Sequence, residues 1–175
     1  MSGHSKWAQI KHQKGATDQK RGKLFSKLLR AISAAAKTDP DQKFNPRLRS
    51  AVEKAEEHNV PQENIARAIS RAEEATENLE ELVIEAYAPD GVAVLVEAVT
   101  DSRNRTVAEI KKLLDDYGGK WAEQGSVRWA FEKNNGGWEP KFTHAVTPAG
   151  REALEKLVRA LENHDDVARV YTNAA

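Results

Sequence analysis

Apolar residues recur at three- and four-residue spacings as far as about Leu79 and alternate with polar ones only after it. That switch in period calls for a helical unit followed by a strand-bearing one. Within the first, Leu24, Phe25, Leu28, Leu29 and Ile32 predict an amphipathic helix over Asp18 to Lys37. Asn45-Pro46 opens a second helix, with Asn as N-cap and Pro at the first helical position, carrying Leu48, Val52 and Ala55 and closing near Asn59. Pro61 starts a third, whose row is Ile65, Ala68, Ile69 and Ala72. The opening, Ser2 to Thr17, has no sustained apolar period and contains Gly3 and Gly15, which predicts an extended or partly ordered arm. The acidic run Glu73 to Glu81 ends the third helix and links two domains, 1–78 and 79–175.

The second domain reads as strand Leu82 to Ala88, turn Pro89-Asp90-Gly91 and strand Val92 to Thr100, a hairpin. Thr106-Val107-Ala108-Glu109 matches a capping box and predicts a helix start, with Gly118-Gly119 as its stop. Ser126 to Glu132 alternates as a third strand. Asn134 to Gly137 turns into a fourth, Trp138 to Val146, which Pro140 marks as an edge. Thr147-Pro148 caps a last helix with Leu154, Leu157, Val158 and Leu161 on its inner row, and Val167 to Thr172 closes the chain as a strand. The order ββαββαβ predicts an α+β sandwich, one mainly antiparallel sheet with two helices on one face.

Charge is divided as sharply as periodicity. Met1 to Arg49 hold twelve Lys and Arg against Asp18, Asp39 and Asp41, a net of +9, so in a neutral chain the remainder carries −9. A basic segment of this kind points to a polyanionic partner. Lys20, Lys23, Lys27 and Arg30 fall within a stripe about 80° wide on the first helix, beside the apolar face, and are read as phosphate contacts. Arg21, Arg47 and Arg49 join the same basic set. Earlier, His4, Lys6, Trp7, Lys11, His12 and Lys14 put cations beside rings on which bases stack. Trp7 and Ile10 serve equally well to dock the arm on the helices. In the loop Thr100 to Thr106, Arg103, Asn104 and Arg105 near a helix N-terminus could hold phosphate or a base edge, while Asp101 could equally pair with either arginine and fix the turn.

Enzymatic readings find little support. The five histidines lack ligand partners at helical spacing, and His164-Asp165-Asp166, the nearest to a ligand cluster, reads as a helix end and turn. No Walker loop, nucleophile elbow or dinucleotide fingerprint occurs, so no catalytic residue, metal or cofactor is expected. The absence of cysteine excludes disulfides and thiolate chemistry and fits a reducing compartment. With no signal-peptide pattern and no apolar run of about 18 residues, a cytoplasmic protein without a membrane partner is expected, monomeric by default.

The segments GHSKWAQIKH (3–12), KRGKLFSKLLR (20–30), NPRLRSAVEKA (45–55), NVPQENIARAI (59–69), TDSRNRTVAEI (100–110), GSVRWAF (125–131) and DDVARVYTN (165–173) together resemble the YebC/PmpR family, in family order and over nearly the whole chain. The resemblance implies a helical domain followed by α+β domains in a nucleic-acid-associated regulator of gene expression, described in the family as binding DNA to control transcription. A mitochondrial relative activates translation of cytochrome c oxidase subunit I. Bacterial members are linked to ribosomes stalled on proline-rich nascent chains, which makes ribosomal RNA the alternative partner. Family members insert a further α+β domain before the final helix, whereas only residues 134–147 fill that interval here.

Overall fold

In the computed structural model, which describes residues 3–74, 78–134 and 137–175 with side chains from Asp18 onward, the first helix is longer than its apolar pattern. Helix α1 runs Gly3–Ala36 without a break, so the opening segment is helical rather than an extended arm. The Lys, Gln and Ala residues that dominate it are strong helix formers, and they propagate a helix nucleated where Leu28 and Ile32 pack. At 34 residues α1 is about 51 Å long, yet every side chain from Asp18 to Leu24 is exposed.

Helix α2, Pro46–Glu57, begins where Asn45 and Pro46 predict. The buried Asn45 side chain accepts from Leu48 N at 3.0 Å and donates to the carbonyls of Ala35 and Asp39, which ties the α1–α2 turn. It ends before Asn59, which takes the left-handed conformation at φ 59°. Helix α3 is Gln62–Glu73. Small residues, Ala35 and Ala36 on α1 with Ala68 and Ala72 on α3, surround Ile32, Leu48, Val52 and Ile65 in the first core. Ser33, buried among them, donates to the Ala68 carbonyl.

Beyond the linker, which lies partly outside the described residues, β1 (Glu80–Tyr87) pairs antiparallel with β2 (Ala93–Thr100) in the register Glu80↔Thr100 to Tyr87↔Ala93. Helix α4 spans Arg103–Asp116 and α5 spans Pro148–Glu162. A two-residue strand β3 (Lys120–Trp121), absent from the sequence reading, adds to β1, and β6 (Val167–Thr172) adds antiparallel to β2. The sheet order is β3-β1-β2-β6. Its Leu82, Ile84, Val94 and Val96 face meets Ile110 and Leu114 of α4 and Leu157 and Leu161 of α5, so both helices lie on one side, as expected.

The opposite face corrects the single-sheet expectation. Strands β4 (Phe131–Asn134) and β5 (Gly137–Pro140) form a separate two-stranded sheet, and Phe131, Val127 and Ala130 cover Ala93 and Leu95. Ser126 to Ala130 is not strand but turn and 3₁₀ helix, because the Gly125, Val127 and Arg128 amides bond the buried Glu85 carboxylate instead of a neighbouring strand. Strand β5 also stops at Pro140, well short of Val146.

One cap joins distant parts of this domain. Thr147 accepts from Gly150 N at 3.0 Å, and its own N–H and hydroxyl both donate to Asp90 Oδ2. A methyl group at Gly150 would collide with that carboxylate. Gly150→Ala is therefore expected to cost about 1–3 kcal/mol, read as a lower thermal midpoint, with α5 its first region to lose amide protection.

A candidate nucleic-acid interface and the acidic end of α5

Three of the four cations in the α1 stripe have partners within the chain, and Lys20 is exposed. Lys23 Nζ donates to Asn163 O at 2.6 Å and pairs with Asp165 at 3.2 Å, and Lys27 Nζ donates to the Glu162 carbonyl. Arg30 bonds Asp166 Oδ1 at 2.7 Å. Lys23 and Lys27 thus cap the last carbonyls of α5, where the helix dipole is negative, and with Arg30 hold the helical unit against the α+β one. Burial, with Lys23 close by, pushes the Lys27 ammonium below its ordinary pKa.

Asp166 is the centre of this contact. Its Oδ2 accepts from Arg105 and from the Thr106 hydroxyl, each at 2.7 Å, while Thr106 Oγ1 lies 2.7 Å from Thr100 Oγ1. Burial opposes the charge, but the Thr106, Arg105 and Arg30 donors outweigh it and hold the carboxyl at about 2. Thr106 is consequently not an N-cap: α4 starts three residues earlier behind Ser102, and the hydroxyl serves Asp166. Glu109, the other half of the expected capping box, accepts from His164 Nε2 at 2.8 Å, since Nδ1 of that ring accepts from Asp166 N.

The remaining predicted contacts divide three ways. Arg103 pairs with Glu80 at 2.7 Å, Arg105 with Asp101 at 3.0 Å, and Arg47 with Glu81. Arg49 donates to the Gln42 and Lys43 carbonyls. Lys20, Arg21 and Asn104 are exposed, and the Arg21 guanidinium lies 5.3 Å from the Phe25 ring centroid. His4, Lys6, Trp7, Lys11, His12 and Lys14 stand on the α1 backbone, and their side chains lie outside the described residues.

A crevice of about 600 Å³ opens between α1, α4 and the end of α5, lined by Lys23, Arg105, Lys112, Asp116 and His164 among others. Lys112 is paired with Asp116, so the lining is charge-compensated. Glu109, His164 and Asp166 bring three ligand-type atoms within 4.8 Å of one another. Two guanidinium groups already occupy the Asp166 carboxylate, and both ring nitrogens of His164 are bonded, which opposes a divalent cation. Sequence reasoning missed Asp166 and Glu85 as organising groups. The available signal was the charge division itself, since a +9 segment and a −9 remainder in one chain attract each other.

Residues 5–75 match the family model described as the TACO1/YebC protein N-terminal domain, and residues 79–136 match TACO1/YebC second and third domain. A protein of Koribacter versatilis named a probable transcriptional regulatory protein is 55% identical over 95% of this chain and 65% of its own length. One of the same name from Methylacidiphilum infernorum is 54% identical, over 76% of this chain and 55% of its own. The chain therefore spans about six-tenths of these relatives. A third, from Acidobacterium capsulatum, aligns at 38% identity over 235 residues, covering 99% of this chain and 96% of that one. Among solved structures, a conserved hypothetical protein of Aquifex aeolicus superposes with a TM-score of 0.81 at 32% identity, over 90% of this chain and 91% of that one. Among the described residues no helix is long and apolar enough to cross a membrane.

Proposed function

The chain belongs to the TACO1/YebC family, and from that premise we propose that it is a nucleic-acid-binding regulator of gene expression which grips the phosphate backbone with the first two-thirds of α1. The observation that supports this is the solvent-exposed run Asp18 to Leu24. It continues a helix whose sequence carries Lys6, Lys11, Lys14, Lys20 and Arg21 against the single acid Asp18. Lysine suits point contact with phosphates rather than bidentate base reading, so register on the nucleic acid is set by charge and shape. The relatives' names favour DNA. The same chemistry, with Trp7 offering a stacking ring, suits irregular ribosomal RNA, and the choice between them is made by sequencing what crosslinks to the protein in cells.

Five phosphate contacts give a log–log salt slope of about −4.5 on duplex DNA and about −3.5 on single strands. Replacing Lys20 and Arg21 together by Gln is expected to reduce that slope by nearly 2 and to change the thermal midpoint little, since both side chains are exposed and the Arg21 stack on Phe25 lies at the surface. An unaltered slope, measured by fluorescence anisotropy between 50 and 200 mM salt, removes this stretch of α1 from the interface.

A further inference from the structure

The acidic end of α5 presents to α1 the same kind of groups that a nucleic-acid backbone would. Lys23 and Lys27 meet two carbonyl oxygens and the Asp165 carboxylate, an array of negative oxygens set against consecutive turns of a basic helix. They follow directly on the exposed Lys20 and Arg21. The two lysines are held weakly. Lys23 and Asp165 are 47% and 76% exposed, and ion pairs so open to water contribute little. Lys27 is half-buried with one carbonyl partner, and burial together with the nearby Lys23 pushes its ammonium below the ordinary pKa. Arg30 differs, because its partner Asp166 is only 3% exposed and is bonded from three sides.

We propose that Lys23 and Lys27 form a second, masked nucleic-acid contact, occupied in the free protein by the acidic end of α5 and surrendered to phosphate on binding. Arg30 and Asp166 stay engaged as the pivot, so the crevice between α1 and α5 widens without the two units separating. The inference rests on the nucleic-acid reading above, and extends it from the exposed cations of α1 to those already spoken for within the chain. A backbone advancing along α1 from Arg21 meets Lys23 and Lys27 next, and each phosphate it places there releases condensed counterions. The exposed ion pair given up in exchange is worth little.

The test is a double-mutant cycle on the intact chain, using a fluorescein-labelled mixed-sequence DNA duplex and a single-stranded RNA as probes. Asp165→Asn unmasks Lys23, and affinity for at least one probe is expected to rise about fivefold, near the limit that release of one exposed pair supports. The salt slope on the duplex is expected to stay at the parent's value, because Lys23 meets a phosphate in both complexes and only its internal competitor is lost. In a Lys23→Gln background Asp165→Asn should gain nothing, whereas simple relief of long-range repulsion would give the same gain in both backgrounds. A thermal midpoint for Asp165→Asn close to the parent's shows that the fold is intact, as its exposure implies. Binding by the parent chain with no gain in Asp165→Asn, or an equal gain with Lys23→Gln present, overturns the masked contact and leaves the α1 reading standing. Absence of binding to either probe at low salt, in parent and variant alike, overturns both.

Discussion

Asp166→Asn is expected to lower unfolding stability at pH 7 by about 2–3 kcal/mol. The carboxylate sits almost wholly out of water and is the shared partner of Arg30 from α1, Arg105 from α4 and the Thr106 hydroxyl. An amide keeps the shape but loses the charge, leaving two guanidinium groups beside a neutral group. Their own exposure, 33% and 44%, screens the loss, which is why the figure lies below that for a fully buried pair. Since the folded carboxyl titrates at about 2 against an ordinary value of 3.8, its contribution is fully present above pH 4 and disappears as pH falls through 2. Urea midpoints for parent and variant should therefore converge as the solution is acidified from pH 7 towards pH 2. A gap that stays constant with pH would mean that shape, not charge, makes the contact. Arg30→Gln on its own should cost less, because Arg105 and Thr106 continue to hold Asp166.

Features settled within a few residues were legible in the sequence. Asn45-Pro46 and Thr147-Pro148 each cap a helix through bonds to amides three residues on, so local chemistry decided both. The β1–β2 hairpin followed from alternation and the Pro89-Asp90-Gly91 turn, whose Asp90 and Gly91 both take positive φ. The misreadings share a cause. Thr106 matched a capping box, and Ser126 to Glu132 alternated like a strand, but in each place a buried carboxylate far away in the chain took the donors. Asp166 is 60 residues from Thr106, and Glu85 is 40 or more from the amides it binds. A local pattern cannot register a partner at that separation. The lysine stripe was read correctly as a stripe and assigned a partner outside the chain, although Asp165 and the α5 carbonyls were available inside it. The family resemblance carried the order of domains and could not reveal these internal bonds.

The larger structural effect is expected at Glu85. This side chain lies on the sheet face opposite the helices, only 2% exposed, and accepts from Gly125 N and Val127 N at 2.7 Å and from Arg128 N at 2.9 Å. Burial raises the carboxyl pKa, but the three amides outweigh it and the net displacement is downward. Without this anion, residues 125–128 have nothing in the sheet to bond, since their backbone belongs to no strand. Glu85→Gln replaces one acceptor oxygen with an NH₂ group facing amide donors, and leaves at least one buried N–H unpaired at about 1–3 kcal/mol. Glu85→Ala removes all three bonds and opens a cavity, for an expected loss of about 4–6 kcal/mol. Because the folded pKa is depressed, the Glu85→Gln deficit should be full at pH 7 and shrink below the ordinary carboxylate range of about 4.5. Hydrogen exchange locates the effect: the amides of Gly125, Val127 and Arg128 should lose protection in Glu85→Gln, while those of α1 to α3 keep theirs. Trp129, whose indole N–H donates to the Ser126 carbonyl within the same turn, supplies a fluorescence readout of its loosening. Retained protection at those three amides would show that Val127, Ala130 and Phe131, packed on Ala93 and Leu95, hold the turn without the carboxylate.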